Sequence, residues 1–165
     1  MQIVILAGGL GTRLDPVTNH VPKSLVLIEG RPFLEYQLEL LKSSGITDVV
    51  LCIGHLGQQV RDFFGDGRAW DVHIEYSDEG ELLLGTAGAV RKAEPLLEDR
   101  FFVLYGDSYL PLSYRDVLDH FEKTSKLAMM VVYKNDNRYD TSNVILEGDL
   151  VQVYDKKARQ AGMVY

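Results

Sequence analysis

The residues of this chain best suited to chemistry lie in one run near its start. Gly8-Gly9-Leu10-Gly11-Thr12-Arg13 follows the apolar stretch Ile3-Val4-Ile5-Leu6-Ala7, and Pro22-Lys23 comes shortly after. A strand that empties into three glycines lets backbone N–H groups approach a phosphate without Cβ obstruction, and the turn or helix beyond adds its positive end. Arg13 and Lys23 supply the cations that a triphosphate requires, and Leu6 and Ala7 lead into the loop as part of the same substrate-binding stretch. A Walker A loop would need Lys and then Ser or Thr straight after its second glycine, and no frame from Gly8, Gly9 or Gly11 provides them. A Rossmann fingerprint from Gly9 and Gly11 would need Gly or Ala at position 14, which is Leu14.

A carboxylate stands at a second strand end. Gly106-Asp107 directly follows Phe101-Phe102-Val103-Leu104-Tyr105, a setting suited to Mg²⁺, a hard ion that takes one or two protein carboxylates plus phosphate oxygens. The alternative is that Asp107 caps the following turn. His20, His55, His73 and His120 are scattered without metal-ligand spacing, and none pairs with a nearby Ser or Cys as a nucleophile and base.

The elements that must position these groups read as an alternation of strands and helices. Short Val/Ile/Phe-rich runs predict strands near 2–6, 48–53, 72–76 and 101–105. Leu34, Leu38 and Leu41 predict a helix over 32–44, with Pro32 in the first turn and Gly45 as its stop. Helices are also expected at 56–64, from Thr86 as N-cap to about Leu97, and near 113–125. Beyond that the pattern turns to β: Leu127–Tyr133, Val144–Leu146 and Leu150–Tyr154, with Glu147-Gly148-Asp149 as a hairpin turn, and a further strand beginning at Gly162. Strands separated by helices imply a mostly parallel sheet with right-handed crossovers, hence a three-layer α/β/α, Rossmann-like domain. Ligands bind such sheets outside the carboxyl ends of the strands. The loops 8–13, 78–88 and 106–108 are then expected to form one site.

Composition narrows the function. The chain has 165 residues, and 17 basic against 24 acidic residues give a net charge of −7, which disfavours a broad nucleic-acid surface. Cys52 is the single cysteine, so an intrachain disulfide and a Cys-rich zinc site are both excluded. The apolar run at the N-terminus has no basic leader and is too short for a signal peptide or a membrane span, so the expectation is a cytoplasmic protein without a membrane partner.

The pattern L-x-G-G-x-G-T-R-L followed by P-K resembles the opening of the sugar-1-phosphate nucleotidylyltransferases, and within them is most similar to heptose and hexose 1-phosphate guanylyltransferases. The resemblance implies the nucleotide-diphospho-sugar transferase type of fold. It also implies transfer of a nucleotidyl group from an NTP to a sugar 1-phosphate, giving an NDP-sugar and pyrophosphate. Arg13 would stabilise the leaving pyrophosphate, Lys23 the α-phosphate, and Asp107 the catalytic Mg²⁺.

Leu84-Gly85-Thr86-Ala87-Gly88 is similar to the family's L-G-T-A-G segment, which closes over base and ribose and brings in Gly80, Gly85 and Thr86 as substrate-binding residues. Val153-Tyr154-Asp155-Lys156-Lys157 resembles the family's strand ending in an acidic residue and a lysine, which would place Asp155 and Lys156 at the sugar phosphate; a solvated basic turn is the other reading. The loop 138–143, Asn143 included, falls where such enzymes hold the sugar. Family catalytic domains continue past the equivalent of Tyr165 with a second magnesium carboxylate, so the resemblance implies one domain over 1–165 lacking its C-terminal part. Two other readings stay open: a nucleotide-binding or regulatory module with little synthesis, and, more weakly, a dinucleotide-dependent oxidoreductase.

Overall fold

The first strand is apolar at every position after Gln2 because it is buried on both faces, as the inner strand of a parallel sheet must be. In the computed structural model, which describes residues 1–11, 17–80, 82, 84–139, 141–155, 163 and 165, the chain divides into two compact units, Met1–Tyr114 and Arg115–Tyr165.

The first unit contains β1 (Gln2–Leu6), a two-residue hairpin of β2 (Leu27–Ile28) and β3 (Arg31–Pro32), then α1 (Phe33–Ser43), β4 (Asp48–Ile53), α2 (Gly57–Phe64), β5 (His73–Asp78), α3 (Gly85–Ala93) and β6 (Phe101–Tyr105). Four of these strands form a parallel sheet in the order β5-β4-β1-β6. Alternate residues of β1 face opposite layers. Ile3 and Ile5 pack with Leu34, Leu38 and Leu41 of α1 and with Val60 and Phe64 of α2. Val4 packs on the other side with Val50, Cys52, Ala89 and Ala93, so the small residues of α3 lie directly on the sheet. The expected three layers are present.

The order of the strands fixes where a ligand belongs. From β1 the chain steps outward through β4 to β5, then crosses by α3 to the other side of β1 and enters β6. The sheet therefore reverses direction between β1 and β6, and the carboxyl ends at such a switch point splay their loops apart into a crevice.

The second unit follows the start of α4 (Tyr114–Glu122) and contains the antiparallel hairpin of β7 (Val144–Glu147) and β8 (Leu150–Tyr154). Gly148, at φ +58, makes the turn. The register shifts between Ile145 and Leu146. Gly162 lies outside the described residues, but Tyr165 exchanges backbone hydrogen bonds with Val144.

Three expectations need correction. Leu127–Tyr133 forms no strand: it pairs with no ladder among the described residues, and Leu127 and Tyr133 are exposed. β-propensity alone does not make a strand without a partner. Thr86 is not an N-cap, since α3 begins at Gly85 with Leu84 before it and no side-chain cap. The same helix stops being α-helical at Ala93 and continues as a 3-10 turn, Glu94–Leu96, because Pro95 lacks the N–H that the α-ladder needs.

A buried thiol and a half-buried phenol make the first unit sensitive to alkali. Burial pushes the Cys52 thiol from 9.0 up to about 11, helped by the charge of Glu79. Burial likewise raises Tyr76 from 10.0 to about 12, and its hydroxyl donates to the Gly65 carbonyl at 2.7 Å. Above pH 9 the unfolded chain releases these protons while the folded chain keeps them, so stability falls as pH rises. Thermal melts are expected to show a progressive loss between about pH 9 and 12, and Tyr76→Phe should remove the later part of it.

Candidate active site at the sheet switch point

Backbone hydrogen bonds carry the sheet one residue past its strands. Ala7 N donates to Cys52 O at 2.8 Å, and Gly106 N donates to Leu6 O at 3.0 Å. Loops 7–11 and 106–108 thus leave the sheet side by side, at the switch point. Two of their glycines leave little room for a side chain. A Cβ on Gly106 would sit 2.7 Å from the Leu6 carbonyl oxygen, and one on Gly8 would sit 2.9 Å from Oε1 of Glu79. The far end of the first loop is pinned by the Thr18 hydroxyl, which donates to Gly11 O at 3.0 Å.

Between these loops lies an open cleft of about 280 Å³. Leu6, Ala7, Gly9 and Gly11 line one side, Gly106 and Asp107 another, and Lys23 reaches in from a 3-10 turn, Lys23–Leu25, set by the extended Pro22. Lys23 Nζ donates to Asp107 Oδ2 at 2.6 Å. Both side chains are partly exposed, so the two charges meet at the cleft surface.

The structure brings together part of the set of residues expected from sequence. Leu6, Ala7, Gly9, Gly11, Lys23 and Asp107 share the cleft, and Gly8 packs behind it. Gly80 and Gly85, both at positive φ, and Thr86 follow the carboxyl end of β5 on the same end of the sheet, outside the cleft lining. In the second unit Asn143 and Asp155 are neighbours, Asp155 N donating to Asn143 O at 2.9 Å. Ser142 of the same loop is buried, and its hydroxyl is taken up by Asn135 and Asn137 instead of being presented to a ligand. Thr12, Arg13 and Lys156 lie outside the described residues.

Glu79 was not among the residues expected at the site, although it falls in the loop 78–88. It is buried behind Gly8, and its Oε2 accepts from Leu84 N at 3.1 Å, so the carboxylate lies against the glycine loop while holding the stretch that leads into α3. Its place in the loop expected beyond the strand near 72–76 was the available signal.

Among the described residues that line the cleft, Asp107 is the one carboxylate. Among the described residues no group of three or more His, Cys, Asp or Glu side chains could hold a metal, so a hard ion at Asp107 would complete its shell with phosphate oxygens and water. Among the described residues the donor set suits such an ion and forms no self-contained metal cage.

A glycine loop, a lysine and a carboxylate meeting at the switch point of a parallel sheet are the features that the first-strand pattern implied. A family model described as nucleotidyl transferase matches residues 2–142. The chain belongs to this family. A D-glycero-alpha-D-manno-heptose 1-phosphate guanylyltransferase of Campylobacter jejuni is 34% identical, the match covering 99% of this chain and 72% of the relative. A UTP--glucose-1-phosphate uridylyltransferase of Synechocystis is 32% identical over 79% of this chain and 37% of its own length. Among solved structures, HddC from Yersinia pseudotuberculosis complexed with GMP-PN superposes with a TM-score of 0.77 at 29% identity, covering 94% of this chain and 69% of that one. The resemblance to sugar-1-phosphate nucleotidylyltransferases, and the α/β fold it implied, are both borne out. Among the described residues no helix is long and apolar enough to cross a membrane.

Proposed function

We propose that the chain catalyses nucleotidyl transfer from an NTP to a sugar 1-phosphate. A phosphate oxygen of the sugar 1-phosphate attacks the α-phosphorus in line, the bond from that phosphorus to the β-phosphate bridge breaks, and pyrophosphate leaves with the electron pair. No covalent nucleophile is needed, so positioning and charge neutralisation account for the catalysis.

The observation that carries this reading is the meeting of Lys23 with Asp107 across the cleft from the glycine loop. Backbone N–H groups of the Gly8–Gly11 loop bind the triphosphate. Lys23 neutralises the α-phosphate, and Arg13 is assigned to the departing pyrophosphate on the motif alone. Asp107 would hold Mg²⁺, which when bound supplies charge neutralisation of the phosphate oxygens. Gly80, Gly85 and Thr86 serve the base and ribose, Asn143 serves the sugar, and Asp155 with Lys156 serves the sugar phosphate.

A pyrophosphate-release assay crossing four NTPs with hexose and heptose 1-phosphates tests the proposal. GTP with a heptose 1-phosphate is the first pair to try, given the name of the Campylobacter relative. Release with one pair and not the others fixes base and sugar together. Nucleotide binding by calorimetry without release from any pair would overturn the enzymatic reading in favour of a binding module.

A further inference from the structure

The buried face of α1 carries one polar residue. Leu34, Leu38 and Leu41 face the sheet as the spacing predicts, and Gln37 shares that face at 1% exposure. Its Nε2 donates to the carbonyl oxygens of Tyr105 at 3.2 Å and Ser108 at 2.7 Å. These carbonyls flank Gly106-Asp107 on either side. The turn is also closed on itself, Ser108 N donating to Tyr105 O at 3.0 Å, and Gly106 is pressed against the Leu6 carbonyl. Asp107 is therefore carried on a short piece of backbone held at both ends by one side-chain amide.

The other half of that amide has no such use. Gln37 Oε1 is buried without a hydrogen-bond partner. A buried polar atom left unpaired is costly, and an apolar side chain of similar size would avoid the cost. What Leu or Met cannot do at this position is donate to two carbonyls at once.

We propose that Gln37 is a positioning residue: by tethering the 105–108 turn from inside the core, it sets the Asp107 carboxylate at the cleft and thereby the affinity of the site for a divalent cation. The inference rests on the reading of Asp107 as the cation ligand. Groups that orient a metal ligand without touching the metal typically account for 10–100-fold in affinity.

The test is an NMR titration of the full chain with Mg²⁺ alone, following the backbone amides of Gly106, Asp107 and Ser108. In the wild type these signals should shift and saturate, the Gln37 side-chain amide signals moving with them, and Asp107→Asn should abolish the response. Gln37→Met should raise the Mg²⁺ midpoint by about tenfold or more. Gln37→Glu keeps the volume and places an acceptor where the donor stood, and the same loss is expected. The remaining amide spectrum reports whether each variant is folded, a control that a purely structural role for Gln37 would fail and a positioning role would pass. A wild-type chain that ignores Mg²⁺, or a response that survives Asp107→Asn, overturns the cation reading itself. An unchanged midpoint in a folded Gln37 variant, beside a silent Asp107→Asn, overturns the role of Gln37 alone. Gln37 side-chain signals in the wild type that stay still through the titration overturn it without recourse to any variant.

Discussion

Asp107→Asn is expected to lower the rate of pyrophosphate release by about 10²-fold or more, the scale on which a single electrostatic stabiliser acts in a transition state. Asn keeps the size of the side chain and an oxygen that Lys23 can reach, so the change isolates charge from shape. The fold should hardly notice. Partly exposed ion pairs of this kind contribute about 0–1 kcal/mol to stability, and both partners here keep contact with solvent. A melting temperature within a few degrees of wild type, together with the lost rate, places the effect in catalysis. Wild-type turnover by Asp107→Asn would sink the assignment.

Lys23→Met is the companion experiment, and its signature differs. The rate should again fall by about 10²-fold, because the α-phosphate loses its cation. Mg²⁺ binding to the protein alone should move the other way. The Lys23 ammonium sits on Asp107 Oδ2 at 2.6 Å, so any ion approaching that oxygen meets a positive charge already in place. Removing the charge frees the carboxylate, and the Mg²⁺ midpoint without nucleotide should drop. A variant slow in turnover yet tighter for the cation is hard to explain by general damage to the site. The double variant Lys23→Met/Asp107→Asn should be much less impaired than the product of the two single losses, since groups that act as a unit are not additive. Full additivity would mean that the two residues work independently and that their contact is incidental.

How far the sequence reveals this site depends on the range over which its determinants act. β4 falls where its β-branched run predicts, because burial on both faces leaves a local apolar signal that no helix face would give, and β6 falls where its apolar and aromatic run predicts although Leu104 is its one buried residue. The glycine loop and Asp107 are legible for a related reason: each follows a strand end, and parallel strands deliver such ends to one side. What could not be read is pairing at long range. Lys23 and Asp107 are 84 residues apart, and only the strand order β5-β4-β1-β6 makes them neighbours. Gln37 was hidden by its type: it lies three residues after Leu34 and four before Leu41, on the apolar stripe, but a polar side chain is not counted toward a core until the helix is docked. Leu127–Tyr133 shows the opposite error. Its apolar, β-rich composition suggests a strand, but a strand exists only with a partner, which composition does not disclose.

The central place of β1 also governs when the site can come into being. Residues 2–6 are made before every other strand of their sheet, yet one of their two edges is completed only by Phe101–Tyr105, about a hundred residues later. At a synthesis rate of roughly 5–20 residues per second, that edge waits for several seconds after the strand appears. Pairing so distant in sequence also carries a large loop-closure cost before any contact rewards it. The cleft between β1 and β6 is therefore among the last parts of the first unit to assemble. A ribosome-bound chain ending before residue 101 would carry the complete glycine loop and no wall for it to face.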